Sequence, residues 1–134
     1  MLKVEHIGIA VKDLTKSNKL FDTLFGNKPY KIEKVESENV STSFYKIGDT
    51  KIELLEATNS DSTISKFIEK RGEGLHHIAF EVEDIISEMS RLKSEGFTLL
   101  RDEPFIGADN KLVCFIHPKS ANGILVELCQ EIKP

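Results

Sequence analysis

Apolar and polar positions alternate at the start of the chain. In VEHIGIAV (4–11), Ile7, Ile9 and Val11 fall on one parity and His6, Gly8 and Ala10 on the other, which predicts a strand with one packing face. The period then lengthens. Leu14, Phe21, Leu24 and Phe25 make a helical stripe, Asp13 is placed to cap its start and Gly26 to stop it. Strands are expected over 30–35, 41–47 and 51–57, the last two joined at Gly48-Asp49, a hairpin-turn pair. A second round follows: a strand over 75–82, a helix capped by Asp84 with Ile85, Ile86, Met89 and Leu92 on its apolar side, Gly96 at its end, and strands near 97–100, 112–117 and 124–130. Between the rounds, Ser60–Ser62 mark the cap of a short helix bearing Ile64, Phe67 and Ile68, and Arg71-Gly-Glu-Gly74 marks the boundary.

The two rounds are a repeat. VEHIGIAVKDL (4–14) aligns with LHHIAFEVEDI (75–85), matching His6 to His77 and Asp13 to Asp84 at an offset of 71 residues. TKIELLEA (50–57) aligns with GILVELCQ (123–130), matching Glu53 to Glu127 at an offset of 74. Two anchors in the same order at nearly the same offset predict tandem βαβββ modules, 1–58 and 75–134, joined by 59–74. The fold class expected is α+β.

Parity selects the candidate chemistry. If Ile7, Ile9 and Val11 pack inward, His6 points the other way; Ile78, Phe80 and Val82 do the same for His77, and leave His76 on the packed side. Ile52 and Leu54 turn Glu53 away, and Val126 and Leu128 turn Glu127 away. A carboxylate in mid-strand is costly unless it faces water or gains a partner. Taken singly, a strand His is usually a hydrogen-bonded partner and a strand Glu usually faces solvent. Two repeat-related pairs of consistent parity weigh more. His6, Glu53, His77 and Glu127 are therefore expected to form a symmetric set that suits a borderline divalent cation such as Zn²⁺, Co²⁺, Ni²⁺ or Mn²⁺. Two carboxylates neutralise a dication, and six-coordination leaves two positions for substrate oxygens or water.

Composition narrows the picture. The chain has 134 residues, which fits one compact domain, and a formal net charge of −4, which argues against a nucleic-acid partner. No apolar run approaches the roughly 18 residues of a membrane span, and the apolar stretch near the N-terminus is too short for a secretory leader. Cys114 and Cys129 form no closely spaced pair and read as reduced thiols, so a cytoplasmic location is expected.

The motifs HIGIAV (6–11), GDTKIELLEA (48–57), DSTISKFIEKRGEGLHHIAFEV (61–82), DEPFIGA (102–108) and FIHPKSANGILVELCQ (115–130) resemble the vicinal oxygen chelate superfamily and, within it, the methylmalonyl-CoA epimerase family, over essentially the whole chain. The resemblance implies a curved eight-stranded sheet around a metal-binding cleft, commonly a homodimer, and an acyl-CoA thioester as substrate. It implies that C2 of methylmalonyl-CoA is epimerised by 1,1-proton transfer through a stabilised enolate, which calls for a proton carrier on each face. Glu127 matches the family's metal-binding Glu that is also proposed as a base. Repeat symmetry makes Glu53, at a ligand position that is Gln in some members, the other candidate. One position departs: where some epimerases carry a second Glu base, this chain has Thr42, whose hydroxyl is no comparable base near neutral pH. Thr42 and Lys119 (in HPKS, with Lys111) are the substrate-contact candidates. Gly107-Ala108 is assigned to a turn or a close approach, and His117 to a turn. Three other functions share the fold: a lactoylglutathione lyase with the same ligands, an extradiol dioxygenase, which needs a 2-His-1-carboxylate iron site usually set in a longer chain, and a metal-free small-molecule-binding module.

Overall fold

The computed structural model describes residues 1–133; Pro134, the last residue of the expected second module, lies outside the described residues. The elements are β1 (Lys3–Ala10), α1 (Leu14–Phe25), β2 (Lys31–Val35), β3 (Val40–Ile47), β4 (Thr50–Ala57), α2 (Thr63–Arg71), β5 (Gly74–Glu81), α3 (Ile85–Ser94), β6 (Phe105–Ile106), β7 (Lys111–Ile116) and β8 (Val126–Glu131). The protein is α+β, with each βαβββ order as expected. Two compact units result: Ile7–His76, and Met1–His6 together with the described residues from His77 onward. Strands β1 and β5 thus each divide between the units beside a candidate histidine.

In the Ile7–His76 unit the strand order is β2-β3-β4-β1. The β3–β4 hairpin is antiparallel and closes on the pair Ile47 and Thr50, so Gly48-Asp49 is a two-residue loop. Gly48 has φ 62°, the left-handed value that such a loop demands at its first position. Asp13 caps α1 by accepting from the Lys16 N–H, and Gly26 closes it at φ 74°. Both strand faces are covered. Val11, Leu14, Tyr45 and Leu54 pack together, with Phe21 and Phe25 of α1 on that side. Tyr45 is fully buried and its hydroxyl donates to Asp22 Oδ1 at 2.8 Å, which ties β3 to α1. On the other side Ala10, Val40 and Leu55 pack with Ile64 of α2. The face of β1 opposite Ile9 is therefore core too, and Ala10 is more buried than Ile9.

In the other unit the order is β1-β5-β8-β7-β6, with β5 and β8 parallel and the β6–β7 and β7–β8 pairs antiparallel. Helix α3 lays Ile85, Met89 and Leu92 onto Val82, Cys114, Ile116 and Leu128. Its Asp84 cap accepts from the Ser87 N–H. The repeat survives in the hydrogen bonds. Val11 N–H donates to Leu55 O and, in the other unit, Val82 N–H donates to Cys129 O, both at 2.9 Å. Leu14 N–H donates to Glu56 Oε2 at 3.1 Å, and Ile85 N–H to Gln130 Oε1 at 2.8 Å. Each unit thus uses a side chain of its last strand to satisfy a donor at the start of its helix.

One expected strand is corrected. Residues 97–100 make no ladder strand; Leu99 forms an isolated bridge with Ile116, and β6 lies later, at Phe105–Ile106. Leu99 faces Ile116 and Phe105 faces Val113, so six residues of one segment advance while three of β7 do. The surplus bulges out through Arg101-Asp-Glu-Pro104, where Pro104 has no N–H to offer a ladder. Gly107 follows because a Cβ there would stand 2.9 Å from Val113 Cγ2.

This packing predicts the mutational cost along α3. Ile85→Ala, at a fully buried position, is expected to lose about 2–5 kcal/mol in urea unfolding. Asp84→Ala is expected to lose about 1 kcal/mol through its cap. Ile86→Ala, at a position 60% exposed, is expected to stay within about 0.5 kcal/mol of the parent.

Candidate metal centre

Three strands of one unit bring three ligand-type side chains together. His6 ends the first half of β1, His77 ends the first half of β5, and Glu127 is the second residue of β8. Parallel pairing sets Ala79 against Glu127 and Ile78 against Val126. Val126 and Leu128 pack under α3 while Cys129 packs with Ala79 and Val113, so Glu127 belongs to the side away from the helix. Glycine and alanine flank the histidines on their own parity, Gly8 after His6 and Ala79 after His77, which leaves room for the imidazoles.

The atoms converge. His6 Nε2 is 3.0 Å from His77 Nε2 and 3.5 Å from Glu127 Oε2, and His77 Nε2 is 3.4 Å from Glu127 Oε1. The two rings stand perpendicular with centroids 5.1 Å apart. Phe115 lies edge-on to His77 at 6.0 Å. The three residues are 5%, 7% and 6% exposed. Donors held about 2.0–2.2 Å from a four- to six-coordinate cation lie about 2.9–3.4 Å from one another, so the observed spacing fits a divalent first-row metal with little adjustment. The chemistry fits as well: two imidazoles and a carboxylate suit Zn²⁺, Co²⁺, Ni²⁺ or Mn²⁺ better than Mg²⁺ or Ca²⁺. His6, His77 and Glu127 could hold it.

Glu53, Thr42, Lys119 and Lys111 lie on other elements. Glu53 is in the Ile7–His76 unit, on β4 opposite Phe44 of β3, and is 4% exposed. Thr42 is fully buried on β3 between Glu33 of β2 and Leu55 of β4, and its hydroxyl has no hydrogen-bond partner among the described residues. Lys119 is exposed in the turn Pro118–Ser120, where His117 Nδ1 accepts its N–H at 3.0 Å; Lys111 is buried on β7. His76 sits edge-on to Phe67 of α2 with centroids 4.9 Å apart, and burial pushes its pKa down to about 4, so it is neutral at pH 7. Cys129 is fully buried; burial, and after it the Glu127 and Glu5 carboxylates, push its thiol far up, and its Sγ lies 3.5 Å from Phe80 O.

Sequence reasoning missed Glu5. It is 2% exposed, and its Oε1 lies 2.7 Å from His6 Nδ1. Glu5, His6 and Cys129 bring one ligand atom each within 4.8 Å of one another, as do His6, His77 and Glu127. The signal was present: an acidic residue on the parity of Ile7 and Ile9, directly before the candidate histidine.

Residues 5–115 match the model of the Glyoxalase/Bleomycin resistance protein/Dioxygenase superfamily. The chain is 40% identical over 130 residues to an ethylmalonyl-CoA/methylmalonyl-CoA epimerase of Cereibacter sphaeroides, covering 96% of this chain and 97% of that protein. It is 37% identical over 129 residues to the mitochondrial methylmalonyl-CoA epimerase of Mus musculus, covering 96% of this chain and 72% of that one. Among solved structures, a Streptomyces coelicolor methylmalonyl-CoA epimerase in complex with 2-nitronate-propionyl-CoA superposes with a TM-score of 0.94 at 32% identity, over 99% of each chain.

Two outcomes are expected of the purified chain. Titrated with Co²⁺, it should take up one equivalent, and His77→Ala should weaken that binding by more than the 10–100-fold typical of substitutions next to a ligand. Cys114 and Cys129, both fully buried, should resist a thiol reagent such as DTNB until denaturant unfolds the protein.

Proposed function

The chain belongs to the glyoxalase/bleomycin resistance protein/dioxygenase superfamily, grouping within it with the methylmalonyl-CoA epimerases, and from that premise we propose that it interconverts the two configurations at C2 of methylmalonyl-CoA. The observation that carries the proposal is the buried convergence of His6, His77 and Glu127, with donor atoms 3.0–3.5 Å apart. Likeness to epimerases over nearly the whole chain supports the choice of substrate.

The chemistry follows from the substrate. The C2 proton lies between a thioester carbonyl and a carboxylate, and its loss leaves an enolate whose charge rests mainly on the thioester oxygen. A divalent cation, when bound, supplies Lewis acidity where that charge develops. His6, His77 and Glu127 hold it, and Glu53 is proposed as the fourth ligand on the strength of its repeat equivalence to Glu127. Glu127 takes the C2 proton on one face as a base. A proton returned to the opposite face gives the other configuration, and restores the enzyme once the two carriers re-equilibrate with solvent. Glu53 is the proposed second carrier, because Thr42 offers only a hydroxyl. Thr42, buried with an unused donor, is proposed to hydrogen-bond the substrate. Lys119, with an exposed ammonium, is proposed to meet the anionic groups of the thioester.

The proposal extends to organisation. We read the chain as one vicinal oxygen chelate domain of two modules, acting as a homodimer in the cytoplasm, and Co²⁺, Zn²⁺, Ni²⁺ or Mn²⁺ as its metal. Two unpaired buried thiols accord with a reducing compartment. Among the described residues no helix is long and apolar enough to cross a membrane.

Proton exchange tests the reaction. Purified protein reloaded with Co²⁺ and given methylmalonyl-CoA in D₂O is expected to place deuterium at C2, followed by mass spectrometry, and chelation is expected to stop it. Glu127→Gln should slow exchange by about 10²–10⁴-fold, the usual worth of a positioned acid or base, plus whatever metal is lost. Background exchange at full metal occupancy would overturn the epimerase reading. Isomerisation of a glutathione hemithioacetal under the same conditions would put a lyase in its place.

A further inference from the structure

His6 is held from both sides, and the two sides differ. Its Nε2 faces His77 Nε2 at 3.0 Å and Glu127 Oε2 at 3.5 Å, while its Nδ1 lies 2.7 Å from Glu5 Oε1. A neutral imidazole carries one N–H, and an ionised carboxylate can only accept. The short Glu5 contact therefore puts the proton on Nδ1 and leaves the Nε2 lone pair turned toward the other two ligands. Such a carboxylate is also expensive: Glu5 is 2% exposed, and an ionised group so placed needs hydrogen bonds to offset its lost hydration.

We infer that Glu5 is the positioning residue of this centre: by accepting from His6 Nδ1 it fixes the tautomer and orientation of the ring and strengthens Nε2 as a donor to the divalent cation. The inference rests on the reading of His6 as a metal ligand. It adds a carboxylate that touches neither substrate nor metal and acts through another side chain. The competing role for Glu5 is a ligand of a second cation with His6 and Cys129. Oε1 and Nδ1, at 2.7 Å, stand closer than the ~2.9–3.4 Å that two ligands of one cation keep, so a cation there would have to part them. The positioning role needs no such displacement. Metal-bound imidazoles commonly donate their second N–H to a carboxylate, and loss of that partner typically costs 10–100-fold in metal affinity.

Three variants and two readouts decide it. Nitrogen-15 NMR of the metal-free protein reads the His6 tautomer, assigned by its disappearance in His6→Gln. Competition with a chromophoric chelator reads Co²⁺ affinity. The parent is expected to show the Nδ1–H form. Glu5→Leu should lose that preference and bind Co²⁺ 10–100-fold more weakly. Glu5→Gln, which keeps an acceptor but not the charge, should keep the tautomer and recover most of the affinity. A parent in the Nε2–H form, or a Glu5→Leu protein that binds Co²⁺ as the parent does, would overturn the inference and leave the metal centre standing. Two equivalents of Co²⁺ in the parent, falling to one in Glu5→Leu, would replace it with the second-cation role. A parent that takes up no Co²⁺ would bring down the ligand reading itself. Should Glu5→Leu fail to fold, the parent tautomer and Glu5→Gln still decide.

Discussion

The interaction on which this architecture turns is the burial of ionisable side chains in mid-strand. Glu5, His6, His77 and Glu127 are each less than 8% exposed and belong to one unit. None of them would be stable there alone. A carboxylate removed from water costs several kcal/mol unless its oxygens are engaged, and an imidazole needs a use for both nitrogens. The observed contacts meet that demand in sequence: Glu5 to His6 Nδ1, His6 Nε2 to His77, and both rings to Glu127. The two imidazole nitrogens that meet at 3.0 Å also stand at the spacing that two ligands of one cation keep.

The strands that carry these groups owe their register to apolar packing elsewhere. Leu128 and Val126 are drawn under α3, and because side chains alternate, Glu127 must leave on the other side. Helix α3 is itself anchored by Asp84 and by Gln130 of β8, the strand that bears Glu127. Helix placement and ligand placement are thus two ends of one lever. A register slip of one residue in β8 would put Glu127 under α3 and Leu128 into the candidate metal centre, so the packing core selects the register.

Much of this was legible because the information is local. Asp13, Gly26, Gly48, Ser62 and Asp84 act at their own helix ends or turns, and parity needs only a strand and one packed face. The repeat was legible for the same reason, and it recurs as paired hydrogen bonds at Val11 and Val82 and at Leu14 and Ile85. What escaped depends on partners far away or on side-chain reach. Residues 97–100 have strand composition, but the pairing that defines an edge strand is made with β7, and the bulge before Pro104 moves it to Phe105–Ile106. Glu5 escaped because parity fixes the direction of Cβ, whereas a Glu carboxylate ends three bonds further on and can reach its neighbour's ring. The second covered face of β1 escaped because α2 is a non-local cover.

The repeat also shows where the two halves have parted. The residue before each candidate histidine occupies equivalent positions, Glu5 before His6 and His76 before His77. Glu5 gives its carboxylate to the ring that follows it, whereas His76 lies against Phe67 and stays neutral through burial. The edge of Phe115 is among the ring contacts of His77. The two histidines are symmetric in sequence and in parity, yet one follows a carboxylate and the other an imidazole. A duplicated scaffold offers equivalent candidate ligands in its two halves. Divergence at the residues that support the ligands lets the ligands themselves stay the same.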